Sequence, residues 1–122
     1  MVVGVYQMNS CKTNNSINKN DKKRLIKVKF WRKFLRLTRG MIPVMKALAV
    51  IANEEEDEEL KGKIKSVLAE MERGAIMSEA LEKCGDYFSA SVIELVRSAE
   101  KTAAWDNILL EIAEGIEEGT FD

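Results

Sequence analysis

The chain has no histidine, one proline, two cysteines and only 7% aromatic residues among its 122. Each scarcity excludes something. Without histidine, the commonest general base and the commonest metal ligand are both missing. Cys11 and Cys84 stand far apart, the first in a polar stretch. A disulfide framework is therefore not expected, and a reducing compartment is the default. No apolar run approaches the roughly 20 residues that a bilayer span needs. Met1-Val2-Val3-Gly4-Val5-Tyr6 is too short an apolar run for a secretory signal and lacks a basic start. No G-x-x-x-x-G-K-[ST] phosphate loop occurs, so nucleotide binding and hydrolysis are not expected.

Charge is plentiful and unevenly placed. Residues 1–39 hold 11 Lys/Arg against one Asp, while residues 40–122 hold 8 Lys/Arg against 19 Asp/Glu. A basic first third thus precedes an acidic body, although the net charge is only -1. Such a split points to contact with a polyanion or membrane at one end, or to charge pairing between chains.

Residues 1–21 are rich in Asn, Ser and Lys without a sustained period, apart from a short strand-like opening at Met1–Tyr6. They read as a disordered or expression-derived lead. From residue 22 to 122 the apolar residues recur at helical spacing, and this part reads as one domain. A first helix is expected over Lys22–Arg39, with Ile26, Phe30, Phe34, Leu37 and Met41 as its stripe, widened by Trp31 and Leu35. Gly40 is its expected left-handed stop. Pro43 is expected at the first position of a second helix reaching about Ala52. The acidic joint Glu54–Glu59 leads into a third helix, Asp57–Arg73, stopped by Gly74. A fourth covers about Met77–Lys83. Ser91 with Glu94 fits a capping box opening the fifth. The sixth starts near Trp105 and ends at Gly115 or Gly119. The expected fold class is all-α, an antiparallel bundle of six short helices.

Four patches between Lys29 and Glu118 carry a family resemblance. The first runs Phe30-x-Arg32, Leu37, Gly40 and Pro43-Val44-Met45-Lys46-Ala47-Leu48. The second is the Glu-rich joint before an amphipathic helix. The third is Glu72-Arg73-Gly74-Ala75-Ile76-Met77-Ser78-Glu79-Ala80-Leu81. The fourth runs from Phe88 to Val96-Arg97-Ser98-Ala99-Glu100-Lys101-Thr102-Ala103-Ala104-Trp105. In this order and spacing they resemble the cytoplasmic domain of the type II secretion F and type IV pilus platform proteins. Several positions depart from that pattern. Pro43 follows Gly40 by three residues rather than two. Ile76 replaces a helix-capping Ser, which leaves that cap lost or moved. Ala99 and Ala103 replace glycines, which suggests a looser bend or one needing no positive φ. Trp105 replaces Leu. The family's membrane helices and second domain copy are missing, so the chain is either a piece of a larger membrane protein or a stand-alone unit.

The resemblance implies a non-enzymatic scaffold at the cytoplasmic face of the inner membrane, with no cofactor. It would link an assembly ATPase to pilin or pseudopilin polymerisation, passing motion through packed helices, alongside other inner-membrane components. Candidate partner contacts are Glu55 and Glu58 on the acidic joint, and Arg97, Glu100, Lys101 and Trp105 around the fifth and sixth helices. Lys23, Arg24, Lys27, Trp31 and Arg32 form a candidate membrane-proximal basic helix. A homodimer would follow if the basic end of one copy met the acidic body of another. The alternative is a helical adaptor whose basic helix binds nucleic acid or a membrane surface; the acidic body opposes the nucleic-acid version by repelling phosphate.

Blander readings stand beside these. The acidic joint lacks the alternating ligands and turn glycine of a calcium loop, and reads as a solvated helix start. The basic helix reads first as a bundle helix with snorkelling Lys and Arg. Glu100, Ser78 and Thr102 have no base or nucleophile at useful spacing, so catalysis is not expected of them. Trp105 reads as a core or interface anchor.

Overall fold

The computed structural model describes residues 19–121, and every regular element in them is a helix. In chain order these are α1 (Lys19–Arg39), α2 (Val44–Glu54), α3 (Glu58–Glu72), α4 (Met77–Glu82), α5 (Ala90–Thr102) and α6 (Trp105–Glu118). Most of the expected lead lies outside the described residues, including the Met1–Tyr6 strand and Cys11. The helix starts three residues earlier than its apolar stripe suggested, at Lys19.

One core unites all six helices. Its centre is aromatic. Phe30, Trp31 and Phe34 of α1 cluster together, and Phe30 and Trp31 also meet Phe88 from the turn before α5, with ring centroids 4.8 to 6.5 Å apart. Trp31 and Phe34 are wholly buried. Leu48 and Ile51 of α2, Leu60 and Ile64 of α3, Val92 and Val96 of α5, and Leu109 and Ile112 of α6 complete it. The longest-range pairing is also the closest: α1 lies along α6, so the first and last described helices are neighbours. Between them the chain steps through α2, α3, α4 and α5, each helix packed on the next in sequence.

The helix ends correct several expectations. Gly40 does not take the left-handed conformation that stops α1; Met41 does, at φ 68°. Met41 N–H bonds the Thr38 carbonyl at 3.0 Å and Ile42 N–H bonds that of Leu37 at 3.1 Å. This is the paired carbonyl capture of a Schellman end, one residue later than the glycine suggests. Ile42 and Leu37 both pack on the core, and that apolar contact fixes the register of the turn. Pro43 is the N-cap of α2, with extended ψ of 149°, rather than its first helical residue. Its carbonyl still accepts the Ala47 N–H at 2.8 Å.

Asp57 caps α3 by accepting the Leu60 N–H at 2.9 Å, and Gly74 ends that helix at φ 109° as expected. Ser89, not Ser91, caps α5: its hydroxyl accepts the Val92 N–H at 3.2 Å. The earlier start brings Ile93 inside with Val92, Val96 and Ala99, and leaves Leu95 only half-buried. Burial of the Val92–Ile93 pair therefore overrides the S-x-x-E pattern. Gly115 is buried within α6 rather than its end, and Gly119 closes the helix at φ 86°. Phe121 folds back over Gly115 so closely that a Cβ there would lie 2.2 Å from its ring.

Candidate functional site

The joint between α5 and α6 ties three helices together. α4 begins at Met77 with Ile76 as its N-cap, and Ile76 has no side-chain oxygen to offer. The missing acceptor comes from 22 residues further along the chain. Glu100 on α5 accepts the Ser78 N–H at 2.8 Å and the Ser78 hydroxyl at 2.7 Å, one with each carboxylate oxygen. Ser78 is fully buried, so this charge-assisted pair satisfies two donors that water does not reach. It also places a negative charge at the positive end of a helix. The cap is thus moved rather than lost, and Glu100 is engaged inside the fold.

Three residues later the chain turns. Ala103 takes φ 64°, so the bend does require the left-handed conformation that the absence of glycine argued against. Its N–H bonds the Ala99 carbonyl at 2.7 Å. Thr102 supports the bend from outside, donating to the Ser98 carbonyl at 3.0 Å and accepting the Ala104 N–H at 3.2 Å. Lys101 is exposed on this corner, and Trp105 is half-buried against the core at the start of α6. Arg97 faces α4, pairing with Glu82 at 3.1 Å and with Glu94. These bonds hold its guanidinium above the usual range, the Glu82 hydrogen bond most.

The acidic joint is largely occupied by its own neighbours. Glu54 pairs with Lys33, Glu55 accepts the Asp57 N–H at 3.0 Å, Asp57 caps α3, and Glu59 pairs with Lys23 at 3.5 Å. Glu58 and Glu56 are exposed. Among the described residues, no three acidic or cysteine side chains are grouped so as to hold a metal ion.

The basic helix follows its first reading, as a helix of the bundle, and only Trp31 and Lys27 leave the membrane-facing set expected of it. Trp31 is fully buried, as are Phe30, Phe34 and Leu35, so the aromatics face the core and not a lipid surface. An apolar stripe can be buried only once, and α6 with Phe88 takes it. Lys27 is buried too, donating to the Tyr87 carbonyl at 2.6 Å. Arg32 pairs with Glu117 of α6 and Arg24 with Asp21. The residues of α1 that stay exposed are Lys22, Lys23, Arg24, Leu25, Lys29, Arg36 and Arg39; of these, Lys22, Lys29 and Arg36 recur at heptad spacing and hence lie on one face. Sequence reasoning counted these three only as filler between apolar positions. Their common spacing of seven was the available signal.

Among the described residues, no helix is long and apolar enough to cross a membrane. No curated protein matches the chain. A protein-family description does: type II secretion system (T2SS), protein F, over residues 30–120.

Proposed function

The chain belongs to the type II secretion system protein F family, and from that premise we propose that it is the cytoplasmic domain of an inner-membrane platform protein. It acts as a non-enzymatic scaffold that couples a cytoplasmic assembly ATPase to pilin or pseudopilin polymerisation. The observation that carries this reading is the Glu100 clamp. One carboxylate fastens α4 to α5 at the corner where α6 begins, so a push on that corner moves three helices as a unit. A scaffold that transmits motion needs this kind of fixed joint. The exposed partner contacts are Lys101 with the open edge of Trp105 on the joint, and Glu58 on the acidic stretch. Glu55, Arg97 and Glu100 contribute by holding those surfaces in shape. The stripe Lys22, Lys29 and Arg36 faces anionic headgroups by charge alone.

The test is capture of the cognate ATPase by this chain. Lys101→Glu and Glu58→Lys are the variants of choice, because both side chains are exposed and their loss leaves the fold intact. Glu100→Lys would unfasten α4 and confuse folding with binding. Capture weakened by either exposed variant supports the platform reading. Full capture by both, or none by the wild type, rejects the assigned surfaces or the coupling itself.

A further inference from the structure

Three ammonium groups converge on one aromatic ring. Lys27, Lys23 and Lys63 place Nζ at 4.5, 5.6 and 5.9 Å from the centroid of Tyr87. The first two come from α1 and the third from α3, while Tyr87 sits in the turn between α4 and α5. Around them lies a cleft of about 460 Å³, walled also by Arg24, Glu59 and Asp86. Four cations thus face two carboxylates, in a molecule whose net charge is -1.

Like charges held this close repel. The ring quadrupole offsets part of that, and so do Glu59, 3.5 Å from Lys23, and Asp21, 3.7 Å from Arg24. The balance remains positive. Lys27 is fixed in place, buried and bonded to the Tyr87 carbonyl at 2.6 Å, so its charge forms an immobile floor. Lys23 and Arg24 are exposed at the rim, and Lys63 is half-buried beside them. No aliphatic side chain lines the cleft, which therefore suits a charged group and not an acyl chain.

We propose that this cleft binds a phosphate-bearing anion. Lys23, Arg24 and Lys63 grip it from the rim above the fixed charge of Lys27, and it displaces Glu59 from Lys23. The chemistry is shared by an anionic lipid headgroup and by a small soluble phosphate. The proposal does not depend on the platform reading, because it uses neither the α5–α6 corner nor any ATPase contact.

Pyrophosphate titrated into the whole chain in a calorimeter tests the soluble source. Co-sedimentation with phosphatidylglycerol vesicles, against phosphatidylcholine vesicles, tests the lipid. Lys23→Glu with Lys63→Glu should weaken binding by about tenfold or more, whereas the charge-matched pair Lys46→Glu with Lys65→Glu should leave it within about twofold. Glu59→Gln should tighten binding, an effect that misfolding cannot imitate. Binding of pyrophosphate alone assigns a soluble ligand, and binding of the vesicles alone assigns a headgroup. Equal weakening by both double variants reduces the effect to net charge and overturns the site. So does tighter binding absent in Glu59→Gln, or no binding of either probe.

Discussion

At the scale of single residues, two positive-φ positions carry side chains where glycine would sit without strain. A non-glycine residue there costs roughly 1–2 kcal/mol, and glycine returns about 0.5–1 kcal/mol of that through unfolded-chain entropy. Met41, expected on the apolar stripe of α1, instead lies past the helix end and is 88% exposed, so its side chain contributes almost no packing to offset the cost. Met41→Gly and Ala103→Gly are each expected to raise stability by about 0.5–1 kcal/mol in urea titrations. Loss of stability in either would show that the strain is absent. Glu100→Ala is expected to cost about 1–3 kcal/mol, because Ser78 would keep two buried donors without acceptors. Glu100→Gln should cost less, since its amide retains one oxygen. These positions also show what the sequence concealed. A left-handed turn occupied by Met or Ala leaves no glycine to read. A helix cap supplied from 22 residues away has no local pattern at all.

At the scale of elements, the helices were legible because their apolar periods are strong, and their class and order stand as expected. Their ends were less so. Ser91 lost the cap of α5 to Ser89, since starting there buries Ile93. The face of α1 was legible as core, but its aromatics and cations also fit a lipid surface until its neighbour is known. The neighbour is α6. Phe34→Ala at the buried centre of α1 should cost about 3–5 kcal/mol. The end of α6 offers a sharper test. Gly115→Ala must displace the Phe121 ring and should destabilise the chain. In a Phe121→Ala background the same change should turn stabilising, by about 1 kcal/mol, as alanine replaces glycine in an open helix. Additive effects in the double-mutant cycle would place Phe121 elsewhere.

At the scale of the whole molecule, three basic side chains of the first region pair with carboxylates of the second within the chain. Lys23, Lys33 and Arg32 on α1 reach Glu59, Glu54 and Glu117 on or beside three other helices. The sequence showed the split but not this internal use of it. Surface pairs of this kind stabilise little each and are screened by salt. One carboxylate gives a pH signature. Glu70 on α3 lies 3.0 Å from both Lys83 and Arg73, and the Lys83 hydrogen bond is the first cause holding its carboxyl below the usual value of 4.5. A folded value below the unfolded one means the stabilisation is full above about 4.5 and fades as pH falls through the folded value. Melting temperatures should therefore drop with acid below that point, and less steeply in Lys83→Met. Identical slopes in the two proteins would remove Glu70 from the account.

The α1–α6 seam also sets an order of events during synthesis. Arg32 and Glu117 pair across 85 positions of chain. At translation rates of about 5–20 residues per second, that separation is roughly 4–17 s. Through that interval Phe30, Trp31 and Phe34 have been made and the helix that covers them has not. The nascent chain thus carries its largest aromatic surface uncovered by α6 throughout that time.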